Sequence, residues 1–378
     1  MSMFKWHFIG AFLVMASATQ AQVAFQSPAA VQGFWEGRLN QHGDDDEVWD
    51  QIDALSFMRN TEFFNAREEG ATRFGMMLRR IQSASSGLNA KLEYGAVVMH
   101  HYGGQTFVAP HLAMVHWLPA GPSKWSLRLG SLTRPDHGLK LPLYNPDLLY
   151  TRPVEYGLQL RGPRVDLWWA WDQAIDYGSP LKEAFTAGLV ADPILLDVRG
   201  LKMGADVQVL YHHIGGQIDA SPSGPEGNLV ESYLGPFVRY HWNTHNALQL
   251  EAGVLQSYDA FVQWNIFQWS TGRWAALRYE GLLAGNVSVH SELSWGDVSM
   301  FQSRKGQPLY QRDPEWWGCI IEPLYITQLQ TRLNWKQDAQ IWSIGLSQFK
   351  EAFKPGVQWA FDFNVMLPID ITRMSSVD

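Results

Sequence analysis

Cysteine is almost missing. Cys319 stands alone, which excludes an intramolecular disulfide framework and any cysteine-based zinc site. Charge is sparse as well, at 17% of residues where soluble domains carry about a quarter. The charge that is present does not favour bases: 29 Lys and Arg face 37 Asp and Glu, for a net of -8. That balance excludes a nucleic-acid partner and a polybasic lipid-binding role. No stretch reaches the roughly 18 continuous apolar residues of a transmembrane helix, and helical periodicity is hard to find.

Aromatic residues, by contrast, are plentiful at 13%, with 18 Trp among them. The mean hydropathy of -0.19 is nevertheless unremarkable. A closed sheet with one face to lipid and one to water reconciles the two, because only every second residue need be apolar. The first residues, 1–21, have the form of a secretory signal: Lys5, an apolar core from Ile9 to Met15, and small residues at Ala16-Ser17-Ala18 or Thr19-Gln20-Ala21. Its apolar core is too short to span a bilayer as a helix. Segment 22–54 is expected to be a periplasmic or plug-like leader, 55–368 a barrel and 369–378 a polar tail.

Period-2 alternation recurs through the mature chain. Leu92, Tyr94, Ala96 and Val98 oppose Lys91, Glu93 and Gly95, and Leu248, Leu250, Ala252 and Val254 oppose Gln249, Glu251 and Gly253. Similar segments number about sixteen, an even count as in bacterial barrels. They fall at 55–65, 72–84, 89–100, 105–118, 124–133, 153–161, 164–174, 183–192, 199–213, 229–242, 246–257, 271–283, 287–297, 322–336, 339–349 and 356–368. Every second connection is tight: 85–88, 119–123, 162–163, 243–245, 284–286 and 337–338, with Pro193 to Val198 the one longer member. The other set holds the long connections 134–152, 175–182, 214–228, 258–270 and 298–321. The fold class expected is therefore all-β, a transmembrane antiparallel barrel in the bacterial outer membrane with long external loops and short periplasmic turns.

Tryptophans fit that plan. Trp117, Trp125, Trp242, Trp335 and Trp342 flank tight turns, as expected of indoles at the periplasmic interface. Trp171, Tyr177 and Trp295 sit near the opposite rim. About sixteen strands make a lumen too wide for wall side chains alone to fill. The residues expected to line it are Lys91, Glu93, Arg128, Glu155, Arg161, Asp166, Asp172, Lys202, Asp206, Glu251, Arg278, Glu280, Glu292 and Arg332.

The connection 134–152 has three prolines and a glycine, yet it also holds Leu139, Leu141, Leu143, Leu148 and Leu149. It is too apolar for a solvated loop. We expect it to fold inward and narrow the lumen, with Asp136, His137, Lys140, Asp147 and Arg152 near the constriction. The overall plan resembles general bacterial porins, in which the third external loop commonly constricts the channel. The runs His137–Leu139, Pro142–Tyr144, Pro153–Gln159 and Trp169–Trp171 are also similar to barrel proteins of Bacteroidota. One departure is the polar tail from Asp370 to Asp378, where such barrels commonly end on an aromatic residue.

Other motifs point less clearly to chemistry. Asp44 to Glu47 lacks the spacing of a calcium loop. In His100-His101 and His212-His213, neighbours on a strand face opposite ways, so neither pair converges on a metal. His290 and Ser288 share a face and fit a hydrolase only loosely. Pro222 to Gly227 is a loop tip with no phosphate-binding context. Loop 298–321, with Phe301, Tyr310, Trp316 and Trp317, offers an aromatic platform. The reading these residues support is a porin-like channel for passive diffusion of small polar solutes, without enzymatic activity, metal or cofactor. Its partners are outer-membrane lipid, small polar solutes or a glycan, with a homo-oligomer as a further possibility. The alternative is a surface barrel that binds or helps export a glycan, or holds a secretion partner.

Overall fold

The computed structural model describes residues 50–62, 71–85, 90–118, 125–132, 136–151, 154–173, 182–215, 227–261, 266–301, 303, 325–337, 340–352 and 356–370. Alternating apolar and polar residues cannot satisfy both solvents as a helix, and they form one antiparallel sheet that closes on itself. The ladder segments are β1 (Asp50–Glu62), β2 (Ala71–Ser85), β3 (Ala90–His101), β4 (Thr106–Leu118), β5 (Trp125–Ser131), β6 (Tyr156–Gly162), β7 (Val165–Gln173), β8 (Ala184–Ala191) and β9 (Ile194–Val198). There follow β10 (Leu201–Ile214), β11 (Gly227–His241), β12 (Ala247–Phe261), β13 (Ile266–Ala284), β14 (Val287–Met300), β15 (Tyr325–Gln337), β16 (Gln340–Glu351) and β17 (Gln358–Asp370). Apart from β8 and β9, each pairs with its sequence neighbours, and β1 meets β17 along Gln51↔Asp370 to Glu62↔Trp359, which removes the sheet's edges.

β8 and β9 both run antiparallel to β10, at Val207–Ile214 and Leu201–Gly204 respectively. They are the two halves of one bent strand, so the seventeen segments make a sixteen-stranded barrel. Here the structure corrects the expected turn at 193–198. Pro193 has no N–H to give the ladder, and the strand kinks there with a register shift between Met203 and Gly204. The turn itself is Arg199-Gly200, with φ of 49° and 85°. Two successive left-handed residues make the tight hairpin whose twist matches its strands.

A second correction concerns 258–270, expected as a long loop. The β12–β13 ladder continues through Tyr258↔Trp269 to Phe261↔Ile266. Cross-strand contact between the Tyr258 and Trp269 rings, 4.6 Å apart, favours this extension. At the start of the chain's barrel, β1 begins at Asp50, inside the segment read as a leader. Its Asp53 pairs with Arg79 of β2 across the inner wall.

The burial pattern is inside-out relative to a soluble protein. Exposed side chains are apolar: Leu112 56%, Met114 54%, Leu129 53%, Leu234 60% and Leu250 59%. Their sequence neighbours Ala113, Arg128, Tyr233 and Glu251 are buried on the inner face. The outer belt therefore suits hydrocarbon, and the polar inner wall is shielded by the sheet itself. Among the described residues no helix is long and apolar enough to cross a membrane.

Candidate luminal site

The centre of the barrel is occupied by the chain itself. Beyond β5, residues 136–151 pass through the interior, with Leu139, Leu141, Leu143, Tyr144, Leu149 and Tyr150 each no more than 5% exposed. They join an apolar cluster with Leu55 and Phe57 of β1, Trp168 of β7, Leu255 of β12 and Met366 of β17. A leucine-rich segment enters a polar lumen because the wall at that level supplies apolar side chains. Short turns keep it compact: Leu143 N–H donates to Lys140 O at 2.8 Å, and the side chain of Asn145 caps a 3-10 turn at Pro146–Tyr150.

Ion pairs fix the segment to opposite walls. Asp147 accepts from Arg59 Nε of β1, with Arg73 of β2 at 3.8 Å. Tyr150 OH donates to Asn364 of β17 at 3.1 Å. On the far side the Lys140 ammonium reaches Asp206 of β10 at 2.7 Å and Glu251 of β12 at 2.5 Å. His137 lies between Asp166 at 3.1 Å and Glu155 at 3.0 Å, in a left-handed backbone conformation with φ of 46°. Burial alone would push its imidazole pKa down. The carboxylates of Asp166 and Glu155 outweigh that and raise it to about 9.

Of the residues expected near a constriction, Asp136, His137, Lys140 and Asp147 are thus inside the barrel, each no more than 9% exposed. Arg152 lies outside the described residues. The residues expected to line the lumen follow the inward parity of their strands, and most are engaged with each other. Arg128 binds Glu93 at 2.8 Å, with Lys91 buried beside them on the same strand face as Glu93. Arg161 stands opposite Asp166, Lys202 is 3.5 Å from Asp197, and Arg278 joins Glu251 to Glu292. Glu280 takes Arg239, and Arg332 takes Asp362 at 2.9 Å.

Trp125, Trp242, Trp335 and Trp342 have the outward parity at the short-turn end. Trp335 and Trp342 stack at 5.5 Å, and Trp242 stacks on Tyr279 at 5.9 Å. Trp117 differs: Ala113 and Val115, both buried inward, give it the inner face. At the opposite rim, Trp171 and Trp295 are exposed, while Tyr177 lies outside the described residues. Phe301 is fully buried in the luminal cluster, so it does not belong to an exposed platform. Tyr310, Trp316 and Trp317 lie outside the described residues, as do Asp44 to Glu47 and all of the 222–227 tip except Gly227, which opens β11.

A cluster that sequence reasoning missed sits at the outer mouth, within a few residues of the strand ends. Thr186 Oγ1 of β8 is 2.7 Å from His212 Nδ1 of β10 and 2.6 Å from Asp172 Oδ2 of β7. Glu231 Oε2 of β11 lies 3.9 Å from His212 Nε2. A hydroxyl, an imidazole and a carboxylate in this order are the parts of a nucleophile, a base and an orienting group. The signal was the shared inward parity of four segments, which becomes a cluster only once the register His212↔Thr186 is known. His213, facing outward, instead contacts Asn228 and the rings of a patch with Phe185, Trp169 and Trp171. Ser288 and His290 form no such set; His290 turns to Glu280 at 4.0 Å.

The family model described as lipid A 3'-O-deacylase-type matches residues 41–366. That match overturns the expectation of a protein without enzymatic activity, because the family is one of enzymes. No curated protein sequence matches the chain. Among solved structures, the chain is similar to a loop-deletion mutant of OmpT, an outer membrane protein of Vibrio cholerae, with a TM-score of 0.51 and 8% identity, covering 86% of this chain and 100% of that one. It is likewise similar to OprD of Pseudomonas aeruginosa, with a TM-score of 0.51 and 12% identity over 86% of this chain and 96% of that one. At such identities the likeness is one of fold: a large outer-membrane barrel.

Proposed function

Because the chain belongs to the lipid A 3'-O-deacylase-type family, we propose that it cleaves ester-linked acyl chains from a lipid A-type glycolipid at the outer mouth of the barrel. The family match is the observation that carries this reading. The cluster of Thr186, His212 and Glu231 supplies the chemistry. Oγ1 of Thr186 attacks the ester carbonyl, and its proton passes to His212 Nδ1 in the tautomer that keeps a proton on Nε2, toward Glu231. The sugar hydroxyl leaves with that proton, and water then hydrolyses the acyl-threonine to free the fatty acid. Before attack the Thr186 hydroxyl donates to Asp172, and it turns its proton from that carboxylate to His212 Nδ1 as it attacks. A lumen filled by residues 136–151 also favours work at the mouth over free flow through the centre.

The test is mass spectrometry of lipid A after incubation with the purified barrel in mixed micelles. The wild type is expected to remove an acyl chain, while T186V and H212Q lose activity by at least ~100-fold, the lower end for an acid–base group. H100A, altering a histidine paired with Thr106 on the outer wall, is expected to keep it. Full activity in T186V and H212Q, or no acyl release by the wild type, would overturn the proposal.

Passage of small polar solutes is a second reading, favoured by the charged inner wall and by a constricting segment held with ion pairs rather than by apolar contact alone. Planar-bilayer recordings test it. Steady conductance that rises when 137–149 are deleted supports passage, and silence from both proteins removes it. Glycan binding or export belongs with the same experiment, as retention on a glycan matrix without conductance.

A further inference from the structure

The surroundings of Lys140 are those of a ligand site. Its ammonium contacts two carboxylates, Asp206 and Glu251, and lies 4.8 Å from the centre of the Tyr233 ring and 4.9 Å from that of Trp274. All four partners come from different strands, β10, β12, β11 and β13, and each is no more than 2% exposed. Two carboxylates with two aromatic faces are a preferred setting for an alkylammonium, through ion pairing and cation–π attraction together. Arg278 pairs with Glu251 and Glu292 and lies 5.4 Å from the Trp274 ring centre, while the Lys140 ammonium contacts Asp206 directly. The four side chains thus make an anionic, aromatic-walled cage around one ammonium group. Lys140 is not part of its wall: it arrives on the inward segment, whose backbone is held separately by Gln208 accepting from Lys140 N–H at 2.9 Å.

We infer that Asp206, Glu251, Tyr233 and Trp274 form a luminal binding site for an alkylammonium group, occupied in this structure by the chain's own Lys140. A basic solute that reaches the lumen competes with Lys140 for the cage. This holds whether the outer mouth hydrolyses esters or not.

Chemical rescue tests the site. Replacing Lys140 by Ala removes the equivalent of one propylammonium. Thermal unfolding of K140A, followed by heat-modifiable gel mobility, is compared in n-propylammonium chloride, sodium chloride and n-propanol at equal concentration. Propylammonium alone is expected to return the midpoint toward that of the wild type, and the rescue is expected to vanish in K140A/D206N/E251Q. If K140A does not fold unaided, refolding yield with and without propylammonium is read instead. Equal effects of the three additives, or rescue that survives in the triple variant, would sink the inference. Competition is read in the wild type as reductive methylation of Lys140 by mass spectrometry. Tetramethylammonium is expected to accelerate it several-fold over sodium, and an unchanged rate would show that the cage admits no outside cation.

Discussion

The imidazole of His137 lies flat on the indole of Trp168, ring centroids 3.8 Å apart and planes within 1° of parallel. Its two nitrogens face Asp166 and Glu155 at the ring edge. Stacking below and carboxylates at both sides all favour the imidazolium. A folded-state pKa of about 9, against 6.5 for a free histidine, means that the stabilisation is present in full below pH 6.5 and is lost as pH rises through 9. The difference corresponds to about 3 kcal/mol. The unfolding free energy of the wild type is expected to fall by that amount between about pH 7 and 10, read as a drop in its thermal midpoint, while H137Q shows no such limb. Coincident alkaline profiles would count against a charged His137.

Gly188 of β8 is what leaves room for this stack. A Cβ there would lie 2.1 Å from Trp168 Cζ2 and 2.4 Å from Cη2, so the ring would have to move. G188A is therefore expected to destabilise the barrel by about 1–3 kcal/mol and to shift the alkaline limb to lower pH. Gly285, in a turn with nothing within 4 Å of its Cβ position, gives the control: G285A is expected to behave as the wild type. Equal midpoints for G188A and G285A would show that Trp168 does not depend on this glycine.

At the other end of the inward segment, Asp147 meets Arg59 and Arg73. D147N keeps the shape and removes the charge, leaving buried Arg59 with Asp362 at 3.7 Å. Losing one partner of a buried pair costs about 3–5 kcal/mol, and the remaining carboxylate places this variant near the lower bound. The change is expected in urea unfolding midpoints and in faster proteolysis within 136–151. An unaltered unfolding curve would mean that the apolar cluster alone holds the segment.

The alternation that defines the wall was legible because each strand solves the same local problem, as Leu92 and Tyr94 do against Lys91 and Glu93. Leu139 to Leu149 also announced an interior segment, since leucines in that number are not left to water. What local pattern does not carry is register. Tyr150 and Asn364 are separated by most of the barrel in sequence, yet touch because the sheet closes between β1 and β17. Thr186 and His212 meet only through the β8–β10 register. Pro193 misled in the opposite sense: a turn-forming residue marks a kink within a strand, because the missing N–H falls where the ladder is already interrupted.

Leu250 and Glu251 test the inside-out wall at one point of β12. Leu250 is 59% exposed and points outward, while Glu251 is 1% exposed and holds both Lys140 and Arg278 inside. An arginine in place of Leu250 would face hydrocarbon, at a cost of about 2–4 kcal/mol if it lies near the bilayer midplane. Leu250→Ser keeps the outward position uncharged and is expected to cost less. Folding of both variants into lipid vesicles, followed by tryptophan fluorescence in urea, provides the comparison. Detergent micelles, which deform around a charge more readily than a bilayer, are expected to narrow the gap between them. If L250R folds into vesicles as stably as L250S, then Leu250 does not face lipid, and the parity that places Glu251 in the lumen is reversed with it.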